Sequence, residues 1–322
     1  MASRRSLCRQ WLMATALLLI SGVHVLRYAG LEEADYRPPA EIPLEIKLDR
    51  RAEIDAGLRQ VWSYRSSTGS RVPVWSIRPA GGTAAPAIVF LYGAGMDMTC
   101  GQKVADLVTQ AGFSLHIPEQ MGCGRRRSAQ RSAFQRALIW RRRAWHLAAD
   151  ARRLVDALQQ RSDISPDGIY FWGASFGVLF GCRALAQDDR FRAGVFTLGG
   201  ADFPTLIADS PAREKLAFHA VQGARCAAWL LAPLDPVRTA GDIDPRPLLL
   251  QNALEDDLIP RSAAQALRDA AGPGAEQRWY ELTHEHIDRQ GVRQLFHDGL
   301  DWLVGVDRGR RLNDRRSKPA PR

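Results

Sequence analysis

Ile169-Tyr170-Phe171-Trp172 runs directly into Gly173-Ala174-Ser175-Phe176-Gly177, and the stretch Val178 to Gln187 that follows reads as a helix. The first four residues are bulky and β-favouring, so the order is strand, sharp turn, helix. In such a turn the neighbours two residues on either side of the serine must be small, because the backbone passes close to itself there. The helix then points its first N–H groups at the serine, where a negatively charged oxygen would be stabilised. A tight glycine turn without chemistry would also read Gly-x-Ser-x-Gly. The strand before it and the helix after it select the other reading, in which Ser175 is a nucleophile.

Outward from this turn, strand-like and helix-like runs alternate. Toward the N-terminus stand Val61–Tyr64 and Val72–Ile77, joined by the polar turn Ser66–Ser70, then Ala87–Leu91 and Ser114–Ile117. Toward the C-terminus come Val195–Leu198, Leu248–Gln251 and Arg278–Leu282. Helix-like runs are Gln102–Ala111, Ser132–Arg161, Phe176–Gln187, Ser262–Ala271 and Arg289–Val304. Strands alternating with helices imply an α/β fold with a doubly wound, mostly parallel sheet, and short apolar runs suit strands covered on both faces. The expected organisation is an N-terminal anchor or signal segment over 1–30, a linker over 31–59, one α/β domain over 60–305, and a basic disordered tail over 306–322.

The net charge of +9 belongs to the chain ends. Residues 1–30 carry +4 and residues 308–322 carry +6, which leaves 31–307 at −1. The folded body is therefore not basic, and nucleic acid is not expected as a partner. Arg4, Arg5 and Arg9 precede an uncharged run from Trp11 to Leu26 that lacks a clear small-x-small cleavage site. An uncleaved membrane anchor is the expectation, with a cleaved signal peptide as the alternative. The basic residues lie before the run and Glu32, Glu33 and Asp35 after it, which places the body outside the cytoplasm. Five scattered cysteines (Cys8, Cys100, Cys123, Cys182, Cys226) form no zinc pattern, and they single out no disulfide pair. Residues 125–153 hold ten arginines, which read as a solvated helix face, with an anionic ligand as the alternative.

With the serine turn in place, the chain resembles the α/β-hydrolase superfamily, in particular its dienelactone-hydrolase-like and prolyl-oligopeptidase-like members. The resemblance covers roughly residues 60–305. It implies the α/β-hydrolase sheet and a chain order of serine, acid, histidine. Tyr92-Gly93-Ala94-Gly95 is similar to the family's oxyanion loop, with Tyr92 where histidine is usual. By that position Ala94 supplies one N–H and Phe176, the residue after the nucleophile, supplies the other. Asn252-Ala253-Leu254-Glu255-Asp256-Asp257-Leu258-Ile259-Pro260 resembles the family's Gly-x-x-Asp-x-x-Val-Pro, with Ala253 in the glycine place and Asp256 on the acid. Glu255 and Asp257 flank it as further acids. Glu119, where the family more often has aspartate, and the Asp188-Asp189-Arg190 stretch read as structural. The segment Ala201 to Pro233 falls where the family inserts a lid, here a short one.

Of seven histidines, His284, His286 and His297 follow Asp256. His297 lies within the last helical run. His284 and His286 follow the last strand, and His284 stands where the family's base falls, with His286 as the alternative. A histidine pair can bind a metal, but no third and fourth ligand at suitable spacing appears. No cofactor is implied. The expected activity is cleavage of a small-molecule carboxylic ester through Ser175, Asp256 and His284, with a peptidase or thioesterase as a variant. The rival of another kind is a membrane-tethered binding protein that keeps the fold without turnover.

Overall fold

The computed structural model describes residues 42–81, 83–127, 133–211, 225, 228–229 and 231–317. The expected N-terminal anchor, Cys8, Cys226 and the middle of the expected lid lie outside the described residues. Nine strands form one sheet: β1 (Lys47–Ile54), β2 (Gly57–Arg65), β3 (Arg71–Arg78), β4 (Ala85–Leu91), β5 (Ser114–Pro118), β6 (Ile164–Ala174), β7 (Phe191–Thr197), β8 (Leu248–Ala253) and β9 (Ala275–Tyr280). Their order across the sheet is β1-β2-β3-β5-β4-β6-β7-β8-β9. The pairs β1–β2, β2–β3 and β3–β5 are antiparallel, and the other five are parallel. The mostly parallel expectation thus holds from β5 across to β9.

Helices α1 (Ala105–Gln110), α2 (Ala133–Gln159), α3 (Phe176–Gln187), α4 (Phe203–Asp209), α5 (Arg261–Ala271) and α6 (Arg289–Ser317) connect the strands. Alternation along the strands sorts side chains into two cores. In β4, Ala87, Val89 and Leu91 join the core that takes residues from α2, α3 and α5. Ile88 and Phe90 join the opposite core, which takes residues from α1 and α6. In β6, Ile169 and Phe171 go one way, and Tyr170 and Trp172 go the other. Each large side chain buried in this way contributes about 1.5–3 kcal/mol. Burial on both faces explains why the strands read as continuous apolar runs.

Two boundaries differ from the expectation. The stretch 31–59, read as a linker, contains β1 and the start of β2. In β1 no residue is buried, and Lys47, Asp49, Arg50, Arg51 and Glu53 give it no apolar alternation. It is held by backbone pairing to β2, and its charges suit an exposed sheet edge. The stretch 306–322, read as a disordered tail, is helical through Ser317 as the end of α6. Asp307 is the reason: it is buried, accepts a 2.7 Å hydrogen bond from Tyr170 Oη, and pairs with Arg310 and Arg311 one turn on. No helix among the described residues is long and apolar enough to cross a membrane.

Candidate active site

The site lies where β4, β6, β8 and β9 end. Ser175 follows β6 with φ 50° and ψ −112°, a strained conformation for a residue with a side chain. It is fixed from two sides. Its N–H donates to Thr197 O at 2.8 Å, and its carbonyl accepts from Val178 N and Leu179 N in the first turn of α3. The flanking glycines are explained by contact. A Cβ on Gly177 would fall 1.9 Å from Leu91 O, and one on Gly173 would fall 2.9 Å from Gly177 O. Both obstacles are backbone and cannot move aside.

Asp256 sits in the turn after β8, and His284 lies four residues beyond β9. His284 Nε2 is 2.8 Å from Ser175 Oγ. Its Nδ1 is 3.0 Å from both carboxylate oxygens of Asp256. The two side chains are 8% and 7% exposed, so water barely competes for this pair. An ionised carboxylate only accepts, so Nδ1 carries the proton. In the neutral ring, Nε2 is then left as the acceptor for the serine hydroxyl. Asp256 Oδ1 also accepts from Leu258 N at 2.9 Å and Ile259 N at 2.6 Å, which locks the carboxylate in place. His286 is exposed, and so is His297, whose ring lies near Asp298 and Asp301 on α6. The structure therefore brings Ser175, His284 and Asp256 together, and leaves His286 outside that chain of hydrogen bonds.

Asp257 has a part that the sequence did not reveal. Its Oδ1 accepts from His284 N at 3.0 Å and from Glu285 N at 3.1 Å, pinning the backbone that carries the histidine. Desolvation works against its charge, but these two N–H groups outweigh it and hold the carboxyl below its usual range. A second set of residues ties the strand ends together. Trp172 Nε1 donates to Thr197 Oγ1 at 2.9 Å, which donates to Gln251 Oε1 at 2.7 Å. Gln251 Nε2 donates to Tyr280 Oη at 3.1 Å and Leu295 O at 2.9 Å. This buried relay spans β6, β7, β8, β9 and α6, directly beneath the turns that carry Ser175, Asp256 and His284.

The loop Tyr92-Gly93-Ala94-Gly95 approaches the serine from β4. A Cβ on Gly93 would fall 3.3 Å from Ser175 Cβ, and Gly95 has φ +79°. Ala94 is exposed, and Phe176 is buried at the first position of α3. Tyr92 is fully buried, and its hydroxyl accepts from Gln120 N at 2.9 Å while its carbonyl accepts from Gln120 Nε2 at 2.8 Å. Burial drives its phenol pKa well upward, so it stays protonated. Here the tyrosine fastens the loop to the turn after β5. In that turn, buried Glu119 accepts from Arg125 N at 3.0 Å.

Several arginines of 125–153 are structural ties. Arg126 pairs with Asp150 at 2.6 Å, both almost fully buried, and Arg153 bonds the carbonyls of Ile42 and Arg65. Asp188 is held by Arg190 at 2.7 Å. Cys100, Cys123 and Cys182 form no disulfide with one another, and burial pushes the Cys182 thiol up to about 12. Among the described residues no three His, Cys, Asp or Glu side chains cluster as metal ligands.

A parallel sheet wound on both faces, with a serine on a strand-to-helix elbow, defines the class: this chain has the fold of the α/β-hydrolase superfamily. The profile of the prolyl oligopeptidase family matches residues 102–304, more than half of the chain, and the chain belongs to that family. Among curated proteins it is similar to YtaP of Bacillus subtilis (strain 168), named as a candidate hydrolase, at 23% identity over 185 residues. That match spans 52% of this chain and 62% of YtaP. Among solved structures, a cold-adapted esterase from an Arctic intertidal metagenomic library aligns at TM-score 0.59 and 17% identity, over 80% of this chain and 97% of its own. An acetyl xylan esterase from Paenibacillus sp. R4 aligns at 0.62 and 15%, over 88% and 93%. A Mycobacterium tuberculosis puromycin-hydrolyzing peptidase aligns at 0.62 and 17%, over 79% of this chain and 40% of its own. At these identities the likeness concerns the fold.

Proposed function

We propose that the protein hydrolyses carboxylic esters of small molecules through Ser175, His284 and Asp256. One observation carries this reading: His284 bridges the serine oxygen at 2.8 Å and the aspartate carboxylate at 3.0 Å. Ser175 Oγ attacks the ester carbonyl as His284 Nε2 takes its proton. Asp256 stabilises the imidazolium formed. The oxyanion is received by the N–H groups of Ala94 and Phe176, the latter at the N-terminus of α3. His284 then protonates the leaving alcohol, and water releases the acyl group by the same route in reverse.

An ester is preferred over a peptide bond because the esterases align along nearly their whole length, whereas the peptidase aligns along 40% of its own. The test compares p-nitrophenyl esters of short acids with peptide p-nitroanilides on the full chain. Ester turnover well above anilide turnover is expected, and the reverse order would replace this reading by a peptidase. Membrane attachment through residues 1–30, with the domain outside the cytoplasm, is proposed on the sequence alone. It predicts that the chain stays with membranes in high salt and leaves them in detergent. Release by salt alone would contradict it.

A further inference from the structure

Away from the serine, β1, β2 and β3 border a cleft of about 510 Å³ whose lining includes Arg50, Arg51, Arg59 and Arg125 and no aspartate or glutamate. Arg50 stands opposite Val61, Arg59 opposite Ala52, and Val61 opposite Trp75, so Arg50, Arg59 and Trp75 share one face of the sheet. None of the four guanidinium groups makes an ion pair or side-chain hydrogen bond with a described residue. Several arginines close by in the fold are held: Arg65 and Arg71 by Glu45, Arg126 by Asp150, and Arg161 by Asp163. Trp75 lines the same cleft, is 2% exposed, and its Nε1–H has no acceptor. Unpaired cations gathered in one cleft repel one another, and a buried unpaired donor carries a desolvation cost. An anion relieves the repulsion; the Trp75 Nε1–H is itself closed off from the cleft.

We infer that this cleft is a binding site for a phosphate-bearing ligand, its oxygens held by Arg50, Arg59 and Arg125. A planar guanidinium donates two parallel N–H groups to phosphate, and three of them favour a multiply charged oxyanion. The volume suits a group the size of a lipid headgroup or a small phosphate ester. Both sources share this chemistry. The site is separate from the ester-cleaving residues and does not depend on their assignment.

The test uses the full chain in detergent, titrated calorimetrically with inorganic pyrophosphate, and the same chain floated with phosphatidylglycerol or phosphatidylcholine vesicles. Wild type, Arg50→Gln/Arg59→Gln and Arg125→Gln are compared, with circular dichroism and ester turnover unchanged as controls. Saturable binding that weakens with salt is expected, falling at least about tenfold in either variant. Arg125 is exposed after β5, so its variant stands if the double variant does not fold. A preference for phosphatidylglycerol that both variants lose assigns the headgroup. Pyrophosphate binding with no preference between vesicles assigns a soluble ester. Absence of both in the wild type, or variants that bind as the wild type does, would overturn the site.

Discussion

Asp256→Asn separates the chemical part of this residue from its structural part. Both backbone donors, Leu258 N and Ile259 N, reach the same oxygen, Oδ1, at 2.9 and 2.6 Å. The amide oxygen of asparagine takes that place, because turning the NH2 there would cost both bonds. The NH2 then occupies the position of Oδ2, 3.0 Å from His284 Nδ1. Nδ1 is equally 3.0 Å from Oδ1, but that oxygen already accepts from Leu258 N and Ile259 N with both lone pairs, so the facing N–H groups decide the tautomer: Nδ1 accepts and Nε2 is protonated. Nε2 then presents a proton to Ser175 Oγ, and the ring no longer accepts one. In a Ser-His-Asp triad this switch lowers kcat about 10⁴-fold, or about 5.5 kcal/mol. Stability should move by less than about 1 kcal/mol, since both backbone bonds survive. Asp256→Ala should instead strip those two donors, at about 1–3 kcal/mol each. The assay is kcat/KM on p-nitrophenyl acetate together with urea unfolding of both variants. Activity of Asp256→Asn within about tenfold of wild type, or equal destabilisation by the two variants, would refute this reasoning.

Asp257→Ala should lower kcat with a smaller change in KM, because it frees the backbone of His284 and Glu285; unchanged kinetics would remove its positioning role. Its depressed carboxyl pKa means that the contribution is present above the ordinary value of about 3.9 and lost as pH falls below it, so the wild type should lose stability there more steeply than the variant. His286→Ala should stay within about threefold of wild-type kcat/KM, and a dead variant beside an active His284→Ala would exchange their roles. Gly177→Ala should destabilise by about 3 kcal/mol or more, because its Cβ would meet the Leu91 carbonyl; denaturant unfolding measures this, and a change below about 1 kcal/mol would contradict the crossing geometry.

What was legible in the sequence was local. The strand Ile169–Trp172, the small neighbours of Ser175 and the helix after it all follow from steric needs within ten residues. The choice of His284 over His286 rested on where the resembled family places its histidine, just after the last strand; the structure sets the His284 ring 2.8 Å from Ser175 Oγ and 3.0 Å from Asp256. The features missed are made by residues far apart or by backbone alone. β1 buries nothing and so has no hydrophobic period to read. The last turns of α6 depend on Asp307 meeting Tyr170, 137 positions away. Thr197 and Gln251 are ordinary strand residues until the sheet sets them 2.7 Å apart. Asp257 looked like one acid among three because the path of the loop that it pins is not written in its neighbours.

The central claim is that Ser175 is a nucleophile activated by His284, and fluorophosphonate labelling read by mass spectrometry tests it most directly. A single phosphonyl adduct on the peptide carrying Ser175 is predicted. It should be absent in Ser175→Ala, and it should form about 10³-fold more slowly or worse in His284→Ala, with both variants folded. A folded wild type that takes no label, or a Ser175→Ala variant that labels like wild type, would contradict the account.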